Sequence, residues 1–288
     1  MENGFWQAII DADYSVPLPH TAATLTPALL PHLSSPDPAL REHLAYAIIV
    51  RWIYDGKYAP SDLRSLVTQL AGQLLGDAGS SDPTTVYRRS YAALVLTDLI
   101  GYDSHAPFLE STTAQLLFEQ ALTHFTAEDD TRGWVPEHGF LAASVHAADL
   151  LWVLANNRFL TAADLERLLV VMGSKVTAPA HAIPTNDLTE HRIRAVMAVL
   201  HRDLLSLPFL VAWVASLAHP ARLPSWDAVY HDETEVNARH NTKVFLTTLY
   251  LQLTFPGLGN LRFIEPSAAS AVLLPHVVVA LHSMTVWN

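Results

Sequence analysis

Apolar residues recur at four-residue steps along much of this chain. In 37–55 the stripe Leu40, Leu44, Ile48 and Trp52 predicts an amphipathic helix. Asp37 and Pro38 open it with a capping carboxylate and a proline suited to a first turn, and Gly56 closes it. The same reading predicts a helix from Pro60-Ser61-Asp62 to about Gly76 and a loop over 77–84, where Asp, Gly, Ser and Pro cluster. Further helices are expected over about 84–100, 110–126, 136–156, 161–173, 188–218 with a break near Pro208, 225–254 with room for another break, and 266–285. Strand-type alternation is nearly absent, so the expected class is all-α.

A weak internal repeat runs through the pattern. Ala45-Tyr46-Ala47-Ile48 aligns with Ser90-Tyr91-Ala92-Ala93 and with His146-Ala147-Ala148-Asp149, each in the first helix of a helical pair. The steps are 45 and 56 residues, close to the spacing of HEAT and armadillo repeats. The expected architecture is therefore a HEAT/armadillo-like α-solenoid: one all-α domain over 1–288 of five to six stacked hairpins. A non-repeating helical bundle is the alternative. The longer second step implies an insertion of eleven residues, filled by 128–139; such insertions gather on one face, often the binding face.

The register also marks two residues. His146 stands where the sister repeats have Ala45 and Ser90, and Asp149 where they have Ile48 and Ala93. Ionisable groups at such positions must be paired or used, because burying them alone costs several kcal/mol. They lie three residues apart, on one helical face, at the end of the most polar stretch beside an apolar helix. That stretch, 128–149, holds Glu128, Asp129, Asp130, Arg132, His138, His146 and Asp149. Arg89 shares the repeat position of Leu44 and Val145 and is expected to join Glu128, Asp130, Arg132, His146 and Asp149 in one cluster.

Three chemistries fit such a cluster. An arginine paired with carboxylates can pin a loop onto a helix. Convergent polar groups in an apolar wall can hold a ligand. His146 can act as a general base oriented by Asp149, with Arg132 or Arg89 holding an anion; His146 and Asp149 are then the catalytic candidates. No metal is expected: His146 and Asp149 supply two ligands, a third is not evident, and no His-Glu-x-x-His occurs. Asn237, His240 and Asn241 share a second helical face, from which Asn241 is a further ligand-binding candidate, whereas His231-Asp232 is a dipeptide that arises easily by chance among 15 histidines. Glycine-rich phosphate loops and nucleophile elbows are absent from the sequence, and no cofactor is expected.

Composition narrows the partners. Hydrophobic residues make up 50% and charged residues 16%, enough for a sizeable core. The net charge of −11 comes without a basic stripe, so nucleic acid is not an expected partner. The lack of cysteine removes disulfides, thiolate chemistry and cysteine-bound metals together. Residues 1–13 have neither a basic start nor a long apolar run, so no signal peptide is expected and the expected location is cytoplasmic. Residues 204–221 and 266–288 carry no charged side chain, but Pro208, Pro220 and Pro275 punctuate them and no basic flanks orient them. Buried helices are expected there, and a membrane role is not.

The motif resembles the bacterial domain-of-unknown-function family number 2785. Glu128, Asp130, Arg132, Gly133, Gly139, His146 and Asp149 match its pattern. Weaker similarity lies at Ser35-Pro36-Asp37-Pro38-Ala39-Leu40-Arg41, at Tyr87-Arg88-Arg89-Ser90-Tyr91 and from Asn241 to Tyr250, so the likeness spans roughly 34–253. Phe140 replaces the family's tryptophan, and Ala142 replaces the first histidine of its pair, which weakens any mechanism needing two imidazoles. The resemblance implies an all-helical, soluble bacterial protein with a polar site at this motif, and lends no activity. The expected function is a scaffold that binds a protein or small-molecule ligand at 128–149. The alternative is a hydrolase-type enzyme using His146, Asp149 and Arg132 on an anionic substrate.

Overall fold

A computed structural model describes residues 3–76, 80–184, 187–258 and 260–284, so the expected loop at 77–84 lies partly outside the described residues. The chain divides into two compact units, Met1–Phe159 and Leu160–Asn288. Both are helical; the described strands are the two-residue pair β1 (Trp134–Val135) and β2 (Gly139–Phe140).

The N-terminal unit holds α1 (Asn3–Asp11), α2 (Ala22–Leu29), a π-helical segment Ala39–Tyr46 that runs into α3 (Ala47–Tyr54), α4 (Pro60–Leu74), α5 (Pro83–Asp103), α6 (Ser111–Ala127) and α7 (Ala143–Ala155). The predicted stripe is buried at Leu44, Ile48 and Trp52, and Gly56 ends α3 at φ +64°. Side-chain caps mark the starts: Asp37 accepts from the Ala39 amide at 2.9 Å and Asp82 from the Thr84 amide at 2.9 Å. α5 packs between α3 and α7 and against α4, while α4 also packs against α6. Trp6, Trp52, Tyr87 and Phe118 fill the interior of this unit.

The C-terminal unit holds α8 (Ala162–Thr177), α9 (Leu188–His201), α10 (Leu207–Ala218), α11 (Glu233–Thr254) and α12 (Ser270–Met284). Thr161 and Asp164 form a capping box on α8. The break expected near Pro208 falls between α9 and α10, with Pro208 in the first turn of α10. The stretch 225–254 is broken too: a 3-10 turn at Trp226–Val229 precedes α11, whose cap is Asp232. Among the described residues no helix is long and apolar enough to cross a membrane.

Two expectations need correction. Helices α1 and α2 were not expected; each is under ten residues. The helix expected over 136–156 starts only at Ala143. Pro136 sits in a tight turn instead, in which the His138 amide donates to the Val135 carbonyl at 3.1 Å and Glu137 takes φ +68°. Proline followed by a left-handed residue suits a type II turn as well as proline suits a first helical turn. The flanking pairs Trp134–Phe140 and Val135–Gly139 close a hairpin, and its exit at Gly139 requires φ +76°. His138 therefore stands on the hairpin turn rather than on the face of α7.

Candidate functional site

The expected cluster separates into a loop anchor and a cleft. In the anchor, Arg89 on α5 meets Glu128, the residue that ends α6, through Nε at 2.5 Å and Nη2 at 3.1 Å. Both side chains are almost wholly buried, at 2% and 1% exposure. Glu128 also accepts from the Asp130 amide at 3.0 Å, and Ser144 on α7 donates to the Asp130 carbonyl at 2.8 Å. Asp130 in turn chelates the Arg132 guanidinium, which reaches the Ser81 carbonyl at 3.1 Å. The segment is thus tied to the start of α5, the end of α6 and the start of α7. A shallow cavity of about 300 Å³ lies over it, lined by Arg89, Asp129 and Arg132 among others.

The hairpin that follows is held by Arg41, which the sequence reading did not single out. Arg41 is fully buried. It donates to the carbonyls of Ser35 (2.8 Å), Pro36 (3.2 Å) and His138 (2.8 Å) and to Glu42 (2.6 Å). Its guanidinium lies 3.8 Å from the centre of the Tyr87 ring, and the Tyr87 hydroxyl donates to the same His138 carbonyl at 3.1 Å. So His138 contributes its backbone to this anchor.

His146 faces elsewhere. It lines a cleft of about 660 Å³ walled by Tyr14, Tyr46, Tyr54, Tyr91 and Phe140, with Glu42, His43 and Arg51 at its polar edge. Its ring meets α5. His146 Nδ1 lies 2.8 Å from Ser90 Oγ and 3.1 Å from the Ser90 carbonyl. Tyr91 packs edge-on against Tyr46 at 6.0 Å and against His146 at 5.7 Å. A carbonyl only accepts, so an Nδ1–H tautomer satisfies it and makes Nε2 the basic nitrogen of the neutral ring. Ala142, which stands in place of the histidine of the resembled pattern, also lines this cleft.

Behind the tyrosines lies Asp98 on α5. It accepts from the Tyr46 hydroxyl at 2.9 Å and the Tyr54 hydroxyl at 3.2 Å. Burial, with a smaller push from Asp149, raises its carboxyl to about 6 against the pull of the two hydroxyls, and burial together with Asp98 drives the Tyr46 phenol upward. Perturbed groups beside a concave wall mark functional sites. Asp98 is protonated in both folded and unfolded chains below about pH 4, and ionising it in the folded chain is penalised as pH rises through about 6. The stability of the protein relative to Asp98→Asn is therefore expected to fall between about pH 4 and pH 7, by up to about 3 kcal/mol. Urea midpoints across that range check this, and a pH-independent difference would contradict it.

Of the predicted site residues, Arg89, Glu128, Asp130 and Arg132 meet in the loop anchor, His138 joins the hairpin anchor, and His146 lines the cleft. Asp149 is buried and acts on Asp98. Asn241 is buried in the C-terminal unit, where Asn237 bonds the Ala180 carbonyl at 3.0 Å. His231-Asp232 has a plain local role: Asp232 caps α11 through the Thr234 and Glu235 amides, and these bonds with the Thr234 hydroxyl lower its pKa. Among the described residues no three His, Asp or Glu side chains are placed to hold a metal.

Sequence reasoning missed Arg41, Tyr54, Tyr91 and Asp98 as site residues. A signal existed for two of them. Tyr46 and Tyr91 occupy one repeat position, and Asp98 stands eight residues past Ser90, where the sister repeats carry Ile53 and Leu154. The test that marked His146 marks Asp98 as well.

No curated protein and no solved structure matches the chain. A family model does, over residues 74–251, which take in the loop anchor, His146 and Asn241 but begin after the Ser35–Arg41 similarity. That span exceeds half of the chain, and the chain belongs to the family described as a protein of unknown function (DUF2785).

Proposed function

We propose that this chain is a helical scaffold of stacked hairpins whose N-terminal unit binds a small organic molecule in the cleft at His146. The observation that carries the reading is the cleft itself. Its volume of about 660 Å³ falls in the range of small-molecule sites, and its aromatic wall carries a few fixed polar groups, His146 and Tyr46 foremost. The stacked-hairpin reading is supported by α3, α5 and α7 lying side by side and by the sister contacts Tyr46–Tyr91 and Ser90–His146. The loop anchor serves as support: the Arg89–Glu128 and Arg132–Asp130 pairs and the Ser144 bond to the Asp130 carbonyl hold the segment ahead of α7, and so the position of His146.

A hydrolytic reading on an anionic substrate needs an arginine beside His146. Arg132 is chelated by Asp130 and Arg89 by Glu128, so ligand binding is the better-supported function. His146→Ala is the test. The ring is half-buried at the edge of the cleft, so its loss is expected to cost roughly 1 kcal/mol or less of stability. A fragment screen by NMR should find binders that shift Tyr and His side-chain signals in the protein and lose affinity in His146→Ala. Unfolding of the variant, or binders that bind it equally well, would overturn the assignment.

A further inference from the structure

The geometry points to a protonated organic amine as the class of ligand for this cleft, held by the tyrosine rings and by hydroxyl oxygens that Asp98 turns into acceptors. This rests on the cleft being a ligand site and goes on to name what it takes.

Hydrogen-bond polarity leads the argument. The Tyr46 hydroxyl spends its proton on Asp98 at 2.9 Å, and Tyr54 does the same at 3.2 Å. A phenol that donates inward offers only lone pairs to the cleft, and a carboxylate behind it makes those lone pairs more negative. A wall of acceptors selects a molecule rich in N–H or O–H donors.

Charge then separates amines from neutral donors. At the rim, Glu42 is paired with Arg41, and Arg51 is paired with Asp55 at 2.9 Å, so these charges cancel. Asp98 is different. Its partners are two hydroxyls, Asp149 acts on it as a like charge, and among the described residues no cation lies at salt-bridge distance from it. Asp98 thus places a carboxyl held by hydroxyls alone behind the aromatic faces. That combination attracts cations through the ring quadrupoles and the field of the carboxylate. A bound ammonium would favour ionised Asp98, so binding is expected to release protons near pH 6 and to tighten as pH rises through that region. Tyr46, Tyr54 and Asp149 are the titratable groups acting on Asp98. His43 and His146 line the same cleft, and Asp98→Asn separates the effect of Asp98 from theirs.

Three probes of one shape test the class: phenethylamine, 2-phenylethanol and 3-phenylpropanoate, each titrated calorimetrically and followed on Tyr and His side-chain NMR signals. Phenethylamine should bind roughly tenfold tighter than the alcohol, with the acid weakest. It should release protons in buffers of different ionisation enthalpy near pH 6 and lose its advantage in Asp98→Asn. Tyr46→Phe keeps the ring and removes one acceptor, and should lower amine affinity even if Asp98→Asn does not fold. Alcohol or acid binding as tightly as the amine at these signals would overturn the amine class while leaving the cleft as a ligand site. If none of the three shifts the signals, the cleft reading falls with it.

Discussion

Arg89→Ala is expected to destabilise the N-terminal unit by about 3–5 kcal/mol. The size follows from what remains after the substitution. Glu128 keeps its place at the end of α6 with 1% of its side chain exposed, and its remaining partner is the Asp130 amide. A buried carboxylate that loses its guanidinium must be ionised without a counter-charge or take up a proton, and either state disfavours the folded chain. A loss near the middle of that range lowers the melting temperature by on the order of 10 °C. Arg132→Ala is the contrast. That side chain is 44% exposed, and Asp130, although only 8% exposed, keeps the Arg132 amide as a donor, so a smaller loss of roughly 1–2 kcal/mol is expected. Urea denaturation of both variants checks the ranking; equal losses would mean that burial does not govern this loop.

Arg41→Ala is expected to act as strongly, by about 3–5 kcal/mol, and to reach the cleft. One guanidinium holds three carbonyls and Glu42, and stacks on Tyr87. Its removal leaves the Tyr87 hydroxyl as the remaining tether on the His138 carbonyl. The hairpin that carries Phe140 into the cleft wall then loosens. Ligand affinity should fall together with stability, unlike in His146→Ala, where affinity falls alone. Arg41→Lys should rescue little, because an ammonium cannot span the planar fork or stack on the ring. Hydrogen exchange at the Leu141 amide, bonded to the Gly133 carbonyl at 2.9 Å, reports on the hairpin directly. Retained protection in Arg41→Ala would contradict this role.

The sequence made some of this legible and hid the rest for physical reasons. Helices with a stripe and a cap could be read: Leu44, Ile48 and Trp52 with Asp37 and Gly56, or Asp164 at the start of α8. The Arg89–Glu128 pair was legible because few arrangements satisfy an arginine at a core position of a repeat. The hairpin was not. Pro136 is compatible with a helix start and with a type II turn, and the choice is made by Arg41, almost a hundred residues away. The cleft was half legible. His146 broke the repeat pattern visibly, whereas Asp98 breaks it inside a helix otherwise read as core, and its tyrosine partners come from α3 and the π-helical segment. The single cluster expected from one helical face became two sites because α7 begins at Ala143: the loop turns Glu128 inward against Arg89 of α5 and pairs Asp130 with Arg132, while His146 faces the tyrosines.

The central claim is that the cleft at His146, and not the charged loop at 128–132, is where this protein meets its ligand. Soaking crystals with a mixed library of small organic fragments tests it most directly, because every surface competes at once. Fragments should gather between Tyr46, Tyr91 and His146, amines foremost, with the Arg89–Glu128 and Asp130–Arg132 pairs unchanged. Fragments held instead by Arg89 or Arg132 over the loop, with the tyrosine cleft empty, would contradict it.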